Sequence, residues 1–145
     1  MSAGSITFSV PGQPVGKGRP RVGRAGPHAR LFTPEKTVDY EAKIAAAAAA
    51  AMAGRELLAG ACAVQASIGV AVPASWSKRK RADALAGRIY PGTKPDADNV
   101  LKSILDGMNG VVYFDDCQAV DGGWRKRYAE APGVFVRVTP LEGAA

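Results

Sequence analysis

The sequence predicts one α+β domain built on a mostly antiparallel, mixed sheet with helices packed on one face. Two-residue alternation of apolar and polar side chains marks strands at residues 6–10, 61–72 and 134–139. Helical start signals and spacing mark residues 33–53 and 98–108. The resulting order is strand, basic loop, helix, strand, basic segment, helix and two strands, with no internal repeat and no convincing linker. A chain of 145 residues has the usual size of one domain, and 47% hydrophobic with 22% charged residues is the composition of a globular protein rather than a disordered one.

Residues 6–10 set Ile6, Phe8 and Val10 against Thr7 and Ser9, and Pro11-Gly12 ends the strand. The loop at 11–32 is rich in Gly and Pro, which remove helix and ladder options. It carries Lys17, Arg19, Arg21, Arg24 and Arg30 and no acid, which suits either a solvated basic loop or a segment lying along phosphates. His28, the one histidine, is assigned no role. Thr33, Pro34 and Glu35 then open a helix as cap, first helical residue and dipole partner. It runs to about Ala53 with Tyr40, Ile44 and Met52 on a thin apolar face, and Gly54 is its stop.

Residues 61–72 give the longest strand signal, with Cys62, Val64, Ala66, Ile68, Val70 and Val72 on one face, and predict a central strand. The basic segment at 75–94 holds the run Lys78, Arg79, Lys80 and Arg81 beside Trp76, a combination of charge and stacking surface that suits nucleic acid. Asp98 is the expected cap of a helix whose Leu101, Ile104, Leu105 and Met108 follow i, i+3, i+4, i+7. Residues 118–127 and 134–139 read as a hairpin through Ala131-Pro132-Gly133.

Residues 94–121 gather Asp96, Asp98, Asp106, Asp115, Asp116 and Asp121 in a chain whose net charge is +6. Convergent carboxylates repel one another unless a cation or a proton neutralises them. Asp96 and Asp98 flank a helix start, Lys102 follows Asp98 by one turn, and a reversal near Asn109-Gly110 returns Asp115 or Asp116 toward Asp98. Three carboxylates without Cys or His are hard donors that suit Mg²⁺, with Mn²⁺ able to substitute, and argue against Zn²⁺. Such ions serve phosphodiester hydrolysis, and Lys102 would orient water or neutralise charge on the phosphate. The bland alternatives are a capping Asp-x-Asp, an Asp-Asp turn, and a surface ion pair from Lys102 to Asp98 or Asp106. Asp106 and Asp121 are read as surface or strand-end charges.

The run Lys94-Pro95-Asp96-Ala97-Asp98-Asn99-Val100-Leu101-Lys102, followed by Asp106, Asn109-Gly110, Asp115-Asp116 and Gln118, resembles the signature of the RusA family of Holliday junction resolvases. Lys17-Gly18-Arg19-Pro20-Arg21, Phe32-Thr33-Pro34 with Thr37 and Tyr40, and the region 126–132 before the last strand are similar to that family as well. The resemblance implies a RusA-like fold over residues 1–145 and a homodimeric, Mg²⁺-dependent crossover junction endodeoxyribonuclease. Such an enzyme nicks four-way DNA junctions symmetrically in recombination and repair, and is often prophage-encoded. It implies that Asp96, Asp98 and Asp116 are the catalytic, metal-holding carboxylates, that Lys102 is the catalytic lysine, and that Asp115 supports them. Tyr113 stands where the family often has Trp.

Lys17, Arg19, Arg21, Lys78, Arg79, Lys80, Arg81 and Lys94 are the candidate DNA contacts. No organic cofactor is expected. Cys62 and Cys117 match no metal or redox spacing and read as reduced thiols. No apolar run approaches the ~20 residues of a membrane helix, and the N-terminus lacks a signal-peptide pattern, so a cytoplasmic protein of bacterial or phage origin is expected. Two other functions fit the same residues: a less selective Mg²⁺ nuclease on flaps, single strands or RNA, and a non-catalytic structural DNA binder.

Overall fold

Alternation decides the sheet. The computed structural model describes residues 4–18, 21–25, 28–32 and 34–141. Strands β1 (Ile6–Pro11), β4 (Cys62–Ala71), β5 (Ala119–Ala129) and β6 (Gly133–Pro140) form one mixed sheet in the order β1-β6-β4-β5. β6 is antiparallel to both β1 and β4, whereas β5 runs parallel to β4 at the free edge. Ile6, Phe8 and Val10, Val64, Ala66, Ile68 and Val70, and Val134, Val136 and Val138 are all buried on one face, as the two-residue period requires.

Helices α1 (Glu35–Met52) and α3 (Ala97–Gly107) share one hydrophobic core with that face, while the short helix α2 (Lys78–Leu85) packs against β5. Tyr40, Ile44, Ala48 and Met52 form the buried stripe of α1. Pro34 stands at its N-terminus and makes no side-chain cap; Thr33, the expected cap, lies outside the described residues. At the other end Ala53 is left-handed at φ 49° and Gly54 follows at φ 83°, so the chain leaves the helix through two positive-φ residues. Among the described residues no helix is long and apolar enough to cross a membrane.

Three expectations are corrected. The basic loop contains a small antiparallel ladder, β2 (Arg21–Ala25) with β3 (His28–Phe32). Its paired residues include a single glycine, Gly23, and no proline, so the Gly and Pro of the loop punctuate the ladder rather than abolish it.

The expected hairpin between the last two strands does not form, because β4 lies between β5 and β6. Gly69 of β4 pairs with Gly133, and a methyl group on Gly69 would meet the Ala129 side chain at 2.9 Å. Small residues there let the 130–132 connection cross the end of β4. The same Ala-Pro-Gly turn signal would announce a tight hairpin.

Helix α3 begins two residues earlier than expected, with Asp96 rather than Asp98 at its N-cap. Its buried face is Val100, Ser103, Ile104 and Gly107, leaving Leu101 and Leu105 half-buried beside β5. Contact with α1 causes this rotation. A methyl group at Gly107 would stand 2.7 Å from Ile44 Cβ and 3.1 Å from the Glu41 carbonyl oxygen.

Gly107→Ala is therefore expected to push α3 off α1 and to cost roughly 1–3 kcal/mol, as overpacking does. Urea unfolding of the two proteins measures it; an unchanged midpoint would show that the helices can separate freely.

Candidate active site

Asp96 has extended backbone (φ −67°, ψ 134°) and makes no side-chain cap bond, and Asp98 follows in the first turn of α3. Both side chains are exposed, so neither carboxylate is spent on the helix that carries it. The segment before them is pinned from β5: Lys126 Nζ donates to the Thr93 carbonyl at 2.6 Å and the Pro95 carbonyl at 2.9 Å.

Asp116 sits on a 3₁₀ turn, Asp116–Gln118, capped by Asp115. Asp115 Oδ1 accepts from the Cys117 amide, while Gln118 Oε1 accepts from the Phe114 and Asp115 amides. Gln118 Nε2 donates to the Leu58 and Gly60 carbonyls at 2.7 and 2.9 Å. One glutamine thus ties the turn to the start of the central strand. Tyr113, fully buried, donates its hydroxyl to the Leu105 carbonyl at 2.6 Å and fastens the same segment to α3. Burial and the nearby Asp116 charge push that hydroxyl's pKa well above its ordinary 10.0, so it stays a neutral donor.

Between these parts lies an ionic cluster. Lys17 Nζ bridges Glu41 of α1 at 2.6 Å and Asp106 of α3 at 3.1 Å, with its side chain only 22% exposed. Its backbone is seated as well: the Lys17 amide donates to the Asn99 carbonyl, and the Gly18 amide donates to Thr37 Oγ1. Burial would lower the Lys17 pKa, but Glu41 and Asp106 outweigh it and raise it. Asp106 lies within hydrogen-bonding reach of Asp116, and Asn109 Nδ2 donates a long 3.5 Å bond to Asp116 Oδ2.

Burial opposes ionisation of Asp106, yet contact with Asp116, the Lys17 ammonium and the Lys102 charge together hold it below its ordinary range. Asp116 is held above its own, first by Asp106 and then by burial and Asp115. The pair therefore favours an ionised Asp106 and a proton or cation at Asp116.

The cluster unites only part of the expected set. Lys102 stands 4.0 Å from Asp106 on the same helix, its side chain 63% exposed, which is the helix-surface ion pair weighed above. Asp106, read as an incidental surface charge, is instead the carboxylate beside Asp116. Among the described residues no three His, Cys, Asp or Glu side chains gather closely enough to hold a metal ion, so Asp96, Asp98 and Asp116 are not drawn to one point. Lys17 is committed to carboxylates rather than open to phosphate.

Lys78, Arg79, Lys80 and Lys94 are exposed and Arg81 half-buried, with Lys80 Nζ lying 4.0 Å over the Trp76 ring. Arg19 lies outside the described residues, and Arg21 stands on β2, where the backbone alone is described. Sequence reasoning missed Glu41, Gln118 as an anchor, and Lys126. The acid-free context of Lys17 and the i+4 spacing from Lys102 to Asp106 were the available signals.

In metal-free buffer at pH 7, Asp116→Asn is expected to raise stability by no more than about 1 kcal/mol, because solvent screens the pair. The sign follows from the raised pKa: the Asp116 contribution is favourable below its ordinary 3.8 and is lost as pH rises through the higher folded value. The advantage of the variant should therefore disappear toward pH 3, and thermal melts across pH 3–8 would show it.

The sequence matches the family model described as endodeoxyribonuclease RusA over residues 11–139. It is also 33% identical over 135 residues to "Uncharacterized protein YqaN" of Bacillus subtilis (strain 168), an alignment that covers 92% of this chain and 94% of that protein. The matched span runs from the end of β1 through β6 and so includes every side chain of the ionic cluster. With Asp96, Asp98, Lys102, Asp115 and Asp116 all within it, the chain belongs to the RusA family of endodeoxyribonucleases.

Proposed function

We propose that the protein is a Mg²⁺-dependent endodeoxyribonuclease that resolves four-way DNA junctions by paired nicks, acting as a homodimer in recombination and repair. The observation that carries this reading is the Asp106–Asp116 carboxyl pair, with Asp106 in the last turn of α3, the helix whose N-cap and first turn offer Asp96 and Asp98 with no side-chain cap bond from Asp96.

The donor chemistry fits a hard divalent cation. All the carboxylates are oxygen donors, and Asp116 faces a second carboxyl whose repulsion a doubly charged ion relieves. Asp96, Asp98 and Asp116 would hold Mg²⁺ only once brought together from the separate positions they occupy here, and the ion would then supply an activated water and neutralise phosphate oxygens. The chain's own groups do the rest. Lys102, exposed on the same helix, meets charge that grows on the scissile phosphate. Asp115 and Gln118 keep the turn rigid, and Lys126 fixes the segment ahead of Asp96.

Exposed Lys78, Arg79, Lys80 and Lys94 supply phosphate contacts, and a structural binder would have no use for carboxylates facing a phosphate. Two-fold symmetry would present two equivalent sites to a branched substrate.

Strand-by-strand cleavage of a mobile four-way junction, with a flap, a duplex and a single strand at the same salt, tests the reading. Paired, Mg²⁺-dependent nicks on the junction are expected, and Asp98→Asn should slow them roughly 100-fold or more while junction binding is kept or tightened. Faster cutting of the flap or single strand would replace junction resolution by a less selective nuclease. In the same binding assay Arg79→Ala should weaken all DNA evenly and reduce the log–log salt slope by about 1. An unchanged slope would remove α2 from the interface.

A further inference from the structure

Directly beside Asp96 the surface opens into a cavity of about 510 Å³ that neither the ionic cluster nor the basic helix uses. One wall is the segment Tyr90–Ala97 and the other is the free edge of β5, from Trp124 to Arg127. Two aromatic rings open on it, Tyr90 at 66% and Trp124 at 54% exposure, which is unusual for side chains of this size on a chain with a well-formed core. The Arg127 guanidinium lies 4.8 Å over the Tyr90 ring, Arg125 stands between the strand's aromatic and Lys126, and Lys126 braces the opposite wall through the Thr93 and Pro95 carbonyls. The walls are thus fixed, the rim is cationic, and the open faces are flat and apolar.

Flat π faces bounded by arginines match one chemical class closely: a nucleobase taken out of the stack, with phosphates on either side. A small neutral ligand would leave the charges of Arg125 and Arg127 unanswered, although Arg127 Nη1 already donates to the Lys126 carbonyl at 2.9 Å, and a carboxylate metabolite would not need two rings. The cavity also shares Asp96 with the candidate site, so a base held there lies next to the phosphate presented to that carboxylate.

We propose that this cavity receives a single unstacked base of the bound DNA, stacked on Tyr90 and Trp124, with Arg125 and Arg127 on its neighbouring phosphates. The inference rests on the nuclease reading above and adds a positioning and selecting role: strands whose stacking is interrupted offer such a base, whereas a continuous duplex must first surrender one. Tyr90 and Trp124 are then positioning residues that set which phosphate reaches Asp96.

The test uses the full chain and four-way junctions carrying 2-aminopurine at successive positions around the cut, with Ca²⁺ in place of Mg²⁺ for binding and Mg²⁺ for cleavage. Wild type should raise the fluorescence at one position. Tyr90→Ala and Trp124→Ala should abolish that rise and slow cleavage about 5- to 150-fold with little change in melting temperature, as expected for loss of one stacked base. Tyr90→Phe should retain both.

The proposal is overturned if wild type cuts the junction with no fluorescence rise at any position, or if both alanine variants cut at the wild-type rate. It is equally overturned if Trp124→Ala splits a dimer into monomers in sedimentation, which would make the cavity wall an interface. A wild type that leaves the junction uncut but cuts a flap would refute junction resolution instead. The same fluorescence series on the flap then decides the cavity by the same criteria.

Discussion

The bridge from Lys17 to Glu41 and Asp106 is the contact on which the rest of the site depends. Helices α1 and α3 meet where Gly107, having no side chain, packs directly on Ile44, and that closeness brings two carboxylates into one partly buried space. Without a cation there, Glu41, Asp106 and Asp116 would oppose one another in a partly exposed space where solvent screens them only in part. Lys17 answers this from the loop after β1. It is held in place by its own backbone on Asn99 and by the neighbouring Gly18 on Thr37, so the ammonium is seated by the fold rather than by the carboxylates alone.

That bridge also settles how one net-positive chain can own a negative pocket. Lys17 offsets the carboxylates on the core side of the cluster, and Asp116 is left on the outer side with its ionisation opposed. Exposed positive charge is carried on α2, on Lys94 and along β5. Attraction of a polyanion and retention of a cation are therefore carried by different side chains.

Much of this architecture was legible in the sequence, and the failures have physical causes. Alternation alone identified β1, β4 and β6, since each buries one face of a strand. Helix α1 was legible from Pro34-Glu35 and the Tyr40, Ile44, Met52 spacing. Which strands pair was not legible, because Ala131-Pro132-Gly133 turns the chain equally well into a hairpin or across the end of β4. The rotation of α3 was hidden in Gly107: a glycine adds nothing to an apolar pattern, yet its missing side chain selects the contact face. At the site, Asp96 and Asp98 were read by type and spacing and Asp116 was chosen over Asp115 by the family resemblance, while Asp106 was set aside, because its partner Lys17 lies 89 positions earlier in the chain. Ion pairs between distant segments leave no local signal.

Gln118, Tyr113 and Lys126 share a device that explains how loops can carry this chemistry. Each reaches from its own segment to backbone carbonyls of another: Gln118 to Leu58 and Gly60, Tyr113 to Leu105, Lys126 to Thr93 and Pro95. A carbonyl accepts such a bond whatever side chain its residue bears, so the bracing leaves the carboxylates free of structural duty. Asp96 and Asp98 need not cap α3, because Lys126 already holds the approach to it. Asp116 need not cap its turn, because Asp115 and Gln118 do. The residues that fix the geometry and those that hold charge are different residues, and a site assembled this way can keep its acids exposed at the surface without losing their positions.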